Sequence, residues 1–122
     1  MPRATIGVEL QSLSTLPKPP ASAMFVARLK IIRELRGTSQ RALGALIGLS
    51  KTTGSTRINR YEQLASRPDI DTAAAIAEAL DVPLAYLVAD SDDLARLIMA
   101  YSQLDEEQRA QLLKAAEERV AT

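Results

Sequence analysis

Several residue types that commonly build catalytic or cross-linked sites are absent from this chain of 122 residues. It has no cysteine, which excludes a disulfide framework and thiolate chemistry and fits a reducing compartment. It has no histidine, the commonest general base and metal ligand. Only 3% of the residues are aromatic, so small alanine and leucine contacts must form the core. We therefore expect neither an enzyme nor a bound metal or cofactor.

Long apolar runs are also lacking. No stretch approaches the roughly 20 apolar residues of a membrane span, so we expect no membrane partner. The triplet Ala21–Ala23 resembles a signal-peptidase site, but Glu9, Lys18 and several prolines precede it. Such a stretch is not the apolar region of a signal peptide, which predicts a cytoplasmic protein.

Charge is unevenly distributed although the net charge is zero. Residues 24–68 contain nine basic and two acidic side chains, whereas residues 69–122 contain twelve acidic and four basic ones. A positive half attracts a polyanion, and a negative half is free for other contacts. This predicts a nucleic-acid-binding half, with a dipolar surface that binds no nucleic acid as the alternative.

Two short helices joined by a turn are predicted between Thr38 and Glu62. Ser39 is a good N-cap because its hydroxyl accepts a free N–H of the first turn. Gly48 is expected to end the first helix, since glycine takes the left-handed conformation at little steric cost. The apolar residues of this helix recur at helical spacing and are predicted to form one face: Ala42, Leu43, Leu46 and Ile47.

The second helix of the pair combines an apolar side with a large polar side. Ile58 and Tyr61 are three residues apart and share a face. Hydroxyl, amide and guanidinium groups on the other side can hydrogen-bond base edges and phosphates. These groups belong to Ser55, Thr56, Arg57, Asn59 and Arg60.

From about residue 24 to 88, the order and spacing of a dozen residues resemble the phage-repressor-like (Xre-type) helix-turn-helix family. Two departures stand out. Eight positions separate Ser50 from Ile58, about twice the family's usual spacing, and Leu64 stands where the family commonly has glycine. The resemblance is carried by Arg28-Leu29-Lys30, Arg33-Glu34-Leu35, Gly37-Thr38-Ser39-Gln40, Leu43, Gly48-Leu49-Ser50, Ile58-Asn59-Arg60-Tyr61-Glu62, Pro68, Ile76-Ala77, Ala79-Leu80 and Val82.

Periodicity and the resemblance together predict an all-α fold. We expect a five-helix repressor-like domain at residues 23–90, preceded by a flexible or weakly ordered arm at residues 1–22. The arm has alternatives: a strand over residues 6–10 exchanged between subunits, or an extension upstream of a natural start at Met24. The helices are expected at residues 23–36, in the pair above, at 70–80 after the N-cap Asp69, and from Pro83. Their inward residues are Phe25, Leu29, Ile32, Leu35, Ala73, Ile76, Ala77, Leu80, Leu84, Leu87 and Val88.

Residues 91–122 are predicted to form a C-terminal helical hairpin. Asp105 and Gln108 have the spacing of a capping box that starts the last helix. The acidic pairs at 92–93 and 106–107 lie in first helical turns, where carboxylates oppose the helix dipole. The hairpin can pack on its own domain or on a second copy, and we favour a dimer. Its packing residues are expected to be Leu94, Leu97, Ile98, Tyr101, Leu112 and Leu113.

The resemblance implies a role for individual residues. The first helix of the pair crosses the DNA backbone and the second enters the major groove, so double-stranded DNA is the expected partner. It also implies an ion pair between Arg33 and Glu62 that ties the first helix to the reading helix. The expected DNA-contacting residues are Ser39, Gln40, Arg41, Lys51, Thr52, Ser55, Thr56, Arg57, Asn59 and Arg60.

Residues 51–54 can be read in two ways. Four extra residues are about one helical turn, so they could lengthen the reading helix without rotating its face. Gly54 and the neighbouring Ser and Thr residues favour a longer loop instead, because they compete with helix through local hydrogen bonds. We favour the loop.

The function expected from these features is a dimeric transcriptional regulator, most simply a repressor. The alternative is an antitoxin-type or other protein-interaction module, in which the acidic hairpin covers a basic partner protein.

Overall fold

The computed structural model describes residues 19–121, with side chains at all of these positions except 51 and 52. These residues form seven α-helices and no strand, which confirms the all-α prediction. Nearly all of the predicted N-terminal arm lies outside the described residues. The helices are α1 (Ala21–Leu35), α2 (Gln40–Leu46), α3 (Lys51–Glu62), α4 (Ile70–Ala79), α5 (Leu84–Val88), α6 (Asp92–Gln103) and α7 (Glu106–Ala121).

The helix ends follow from side-chain caps and left-handed glycines. Ser39 accepts a hydrogen bond from the Ala42 N–H at 3.0 Å, and Asp69 accepts one from the Thr72 N–H at 2.7 Å. The backbone hydrogen bond from Thr72 lowers the pKa of Asp69 from its ordinary value. Gly37 (φ +66°) follows α1 and Gly48 (φ +88°) follows α2. The predicted stops and caps of these helices are thus confirmed.

Helices α1 to α5 enclose one core built from aliphatic side chains. Its centre is closed to solvent, and α4 with its C-cap Leu80 contributes all four inward residues predicted for this helix. The fully buried side chains are Leu29, Ile32, Leu43, Ile58, Ile76, Leu80 and Leu87.

Four residues predicted to face inward are instead exposed. Leu35 is 73% exposed and Leu46 62% exposed. Each is the last residue of its helix, where the chain leaves the core. Val88, at the end of α5, is 39% exposed, and Ala42 lies on the outer side of α2. Helical spacing identified the stripe but not where each helix stops touching the core.

The preference for a loop at residues 51–54 was wrong. The chain is helical from Lys51, and Ser50 caps it by accepting a hydrogen bond from the Thr53 N–H at 3.2 Å. Gly54 lies inside the helix because it meets Gly44 of α2. A Cβ added to Gly44 would come within 2.5 Å of the Gly54 Cα. The glycine therefore serves a close helix–helix approach, which outweighs its weak helix propensity.

Helices α6 and α7 follow the core domain and are joined by a short turn. The capping box is confirmed: Gln108 N–H donates to Asp105 Oδ1 at 2.8 Å, and Asp105 N–H donates to Gln108 Oε1 at 3.1 Å. Ala95 is the one buried residue of α6, and α7 has no buried residue.

Candidate nucleic-acid interface

One side of α3 is fixed in the core, and the other faces solvent. Ile58 is fully buried, and Tyr61 and Glu62 are 6% and 5% exposed. The anchored residues are spaced three and four apart, so they lie on one face of the helix. The opposite face is therefore held rigidly outward.

Arg33 and Glu62, which the resemblance pairs, form a two-pronged ion pair between α1 and α3. Arg33 Nε donates to Glu62 Oε2 at 2.7 Å, and Arg33 Nη2 donates to Glu62 Oε1 at 3.0 Å. Arg33 Nη1 also donates to the Thr38 carbonyl at 3.0 Å. The hydrogen bond to Glu62 raises the pKa of Arg33, against the opposing effect of burial. This pair fixes the C-terminal end of α3 on the scaffold.

Gln40, the first residue of α2, is joined to the same pair. Its amide nitrogen donates to Glu62 Oε1 at 3.2 Å and to Asn59 Oδ1 at 3.4 Å. Gln40 and Asn59 are both on the predicted DNA-contact list. In the described structure they hold the start of α2 against the last turn of α3, so the two helices present one continuous surface.

The outward face of α3 carries polar side chains. Thr56, Arg57, Asn59 and Arg60 are exposed, and Ser55 is half-buried. Ser39 and Arg41, at the start of α2, are exposed as well. The first turn of α3 places residues 51 and 52 at its N-terminal end, where free N–H groups favour anions.

The structure adds Ser66 and Arg67, which the sequence prediction omitted, to the candidate interface. An open depression of about 470 Å³ beside α3 is lined by Arg57, Arg60 and, from the following turn, Ser66 and Arg67. Arg60 Nη2 donates to the Ala65 carbonyl at 3.5 Å, which ties this turn to the helix. Arg67 belongs to the basic segment of the sequence, but only the turn after α3 brings it alongside Arg57.

Not all basic residues of the segment contribute to this surface. Arg28 is 6% exposed and donates to the Ala89 carbonyl at 2.5 Å, and it lies 3.5 Å from Asp92. Arg36 donates to the carbonyls of Leu80 and Asp81, at the end of α4. Together with Arg33, these side chains hold α1 to the rest of the protein. The charge count of the sequence therefore overstates the positive charge available to a ligand.

Leu64 has a left-handed backbone, with φ +59°. It lies in the turn after α3, where the family commonly has glycine. An L-residue with a Cβ is strained in this conformation by about 1–2 kcal/mol. The turn therefore keeps the backbone conformation that glycine favours, although this chain has leucine there.

Other site classes find no support in the part of the chain that is described. Residues 19–121 contain no group of three or more acidic side chains placed to hold a metal ion. None of the helices among them is long and apolar enough to cross a membrane.

Comparisons with known proteins agree with this geometry. A family model described as helix-turn-helix matches residues 29–87, which include α2, α3 and α4, the C-terminal half of α1 and most of α5. The crystal structure of the transcriptional regulator BswR is similar, with 38% sequence identity and a TM-score of 0.70. The match covers 76% of this chain and 92% of that chain. No curated protein matches the chain.

Proposed function

Since the chain belongs to the Xre-type helix-turn-helix family and is a DNA-binding transcription regulator, we propose that it is a sequence-specific repressor. The observation that carries this is the division of α3: Ile58, Tyr61 and Glu62 are buried, and the hydrogen-bonding side chains face outward. A repressor needs only to occupy its operator. We place its action in the cytoplasm, with double-stranded DNA as its partner and no enzymatic step.

In the proposed complex α3 lies in the major groove and α2 crosses the backbone. The N-terminal part of a recognition helix contacts base edges, and α3 has one turn more there than the family's usual spacing. Arg57 is the strongest candidate for base choice, because a guanidinium pairs bidentately with guanine. Thr56 and Ser55 lie beside it, and residues 51 and 52 lie one turn earlier.

Phosphate contacts are proposed for the borders of this surface. Arg60 and Arg67 lie on the depression beside α3, and Ser39 and Arg41 lie at the exposed start of α2. These groups fix the register on the duplex but carry no sequence information. Gln40 and Asn59 bind each other, so we assign them the orientation of α2 and α3 as well as contact with DNA.

The proposed functional unit is a homodimer. Regulators of this shape bind two half-sites about one helical turn apart, and the two-fold symmetry of the protein matches that of the operator. One copy presents one reading helix, so a palindromic operator requires two copies.

Salt titration of labelled duplex tests the proposal. Operator sequences are first selected from a random duplex pool, and the affinity for the best sequence is then measured at several salt concentrations. The logarithm of the binding constant is expected to fall linearly with the logarithm of salt, by about 0.9 per phosphate contact. An affinity that does not change with salt, or a pool without enrichment, would contradict the proposal.

A second candidate is a protein-interaction module of the antitoxin type. It is favoured by the acidic hairpin, since residues 91–122 carry seven acidic and four basic side chains. Co-purification with a basic protein that binds the hairpin would support it, and this activity is compatible with DNA binding by α3.

A further inference from the structure

Helix α7 has no buried residue although it is 16 residues long. It nevertheless carries an apolar stripe, in which Leu112 is 36%, Leu113 53% and Val120 86% exposed. Isolated helices of up to about 15 residues are marginal in water, and helices in proteins are stabilised mainly by packing of their apolar face. The described residues do not supply that packing, so we expect the apolar side of α7 to pack against another surface.

A groove of about 570 Å³ lies between α6 and α7. The turn that joins α6 to α7 is fixed by Arg109, whose side chain donates hydrogen bonds to the carbonyls of Tyr101 at 3.0 Å and Ser102 at 2.8 Å. The Arg109 guanidinium also stacks 5.3 Å from the centre of the Tyr101 ring. These contacts fix the end of the groove where α6 meets α7. Its lining consists of Pro83, Ala85, Leu97, Ile98, Tyr101, Ser102, Arg109, Leu112, Leu113 and Ala116.

We propose that helix α7 of a second copy occupies this groove, and that each copy gives its α7 to the other. The inference rests on the proposed dimeric regulator and specifies where the two copies meet. In such a two-fold arrangement the same surface serves both partners. It covers the groove and also Val120, which is exposed on α7 outside the groove lining.

The charges of α7 suit pairing with itself. The helix carries four acidic and three basic side chains, distributed along its length. Two copies therefore bring together surfaces that are almost neutral, with both signs present, and like-charge repulsion is small. A strongly basic partner would instead require a groove rim of one negative sign, which Arg109 interrupts.

The area available fits a stable dimer. A helix of 16 residues is about 24 Å long and about 10 Å wide. Burying half of its surface removes roughly 400 Å² from water by this geometry. Because α7 itself forms one wall of each groove, only the walls from α5 and α6 add to the area of the two helices. The total is then roughly 1,200 Å², at the lower end of the range for specific, stable interfaces.

The position of the groove links dimerisation to DNA binding. Pro83 and Ala85, which belong to the start of α5, form part of its wall. Helix α5 also contains Leu87, a fully buried residue of the core that carries α3. A partner helix in the groove thus touches the DNA-binding domain itself, and so fixes the orientation of one reading helix relative to the other.

Sedimentation equilibrium of the full chain tests the interface. Leu113→Glu places a charge in the groove and is expected to weaken dimerisation about 30-fold or more, as at an interface hot spot. Gln111→Glu adds the same side chain to an exposed position of α7 outside the groove lining and should leave dimerisation unchanged. A monomeric wild-type protein, or equal effects of the two variants, would overturn the proposal.

Cross-linking provides a second measurement that does not depend on the stability of a variant. The chain has no cysteine, so single cysteines can be placed at will. A tagged Leu97→Cys chain is mixed with an untagged Leu113→Cys chain and oxidised. A disulfide-linked heterodimer is expected, because α7 of one copy lies against α6 of the other. Its absence, or an equal yield with Gln111→Cys in place of Leu113→Cys, would overturn the exchange of α7.

The two proposals fail separately. A cross-linked dimer that selects no DNA sequence leaves the interface standing and removes the repressor function. Monomers that bind single half-sites keep the DNA-binding function and overturn the interface. Monomers whose groove is filled by a short apolar peptide likewise overturn pairing with a second copy.

Discussion

Helices α3 and α7 differ in how their solvent-facing sides are supported. In α3, the buried side is fixed by Ile58, Tyr61 and the Arg33–Glu62 ion pair, and the exposed side is polar. In α7 no residue is buried, and the exposed surface includes Leu112, Leu113 and Val120. Water can hydrogen-bond to the polar side chains on the exposed face of α3, whereas exposure of the apolar side chains of α7 to water is unfavourable. We therefore propose different roles for the two exposed faces: contact with DNA for α3 and contact with a second copy for α7.

The largest expected effect comes from removing the anchor of α3. The Glu62 side chain is 2% exposed and that of Arg33 13% exposed. Removing one member of a buried ion pair costs about 3–5 kcal/mol. Glu62→Ala should therefore lower the melting temperature, measured by circular dichroism, by about 10 °C or more. Glu78→Ala, at an exposed position of α4, is the control. An unchanged melt for Glu62→Ala would show that α3 is anchored by its apolar residues alone.

A second prediction tests whether DNA is read by the exposed face of α3 and not by that of α7. Arg57→Ala should reduce discrimination at one base pair of the operator by about 1–3 kcal/mol. The matched change Lys114→Ala removes a positive charge from α7 and should leave base discrimination unaltered. The measurement is the affinity of each variant for the operator and for its single-base variants. An equal loss on every sequence would make Arg57 a phosphate contact.

A third prediction tests the close approach of α2 to α3 by adding one methyl group between the helices. Gly44→Ala adds a Cβ within 2.5 Å of the Gly54 Cα, and overpacking of this kind costs about 1–3 kcal/mol. The better helix propensity of alanine offsets about 1 kcal/mol, so a net loss of up to about 2 kcal/mol is expected in urea unfolding. Ala45→Leu, on the exposed side of the same helix, should change stability little. A stabilised Gly44→Ala protein would contradict the glycine contact.

The smallest effect is expected at the end of α3. Leu64→Gly should stabilise the protein by about 0.5 kcal/mol, since relief of the left-handed strain, about 1–2 kcal/mol, exceeds the entropic cost of glycine, about 0.5–1 kcal/mol. Leu64→Ala keeps a Cβ in the same conformation and should bring no gain. Equal urea midpoints for the glycine and alanine variants would show that the turn is not strained.

Much of the fold was predictable because its signals are local. Ser39, Gly48 and Asp69 act through hydrogen bonds and backbone angles within a few residues, and the structure confirms their caps and stops. The inward stripe of α4 follows from helical spacing alone. Residues 51–54 were misjudged because the glycine among them contacts a residue ten positions earlier, which no local propensity can indicate.

The sequence predicted the chemical character of the candidate site but not the full set of residues that form it. The sequence identified the polar residues of α3, which the fold places on its outer side. It counted Arg28 and Arg36 as surface charge, whereas they bind carbonyls of distant segments. It omitted Arg67, which reaches the site only through the turn after α3.

By itself, the sequence determined that this protein is helical, where most of its helices begin and end, and which helix carries a hydrogen-bonding face. Those properties depend on residue spacing and on hydrogen bonds between near neighbours. Only the tertiary structure decided which arginines hold the helices together, how closely α2 and α3 approach, and that none of the residues 19–121 covers the apolar side of α7. Those outcomes depend on contacts between residues far apart in sequence, whose partners appear only once the chain has folded.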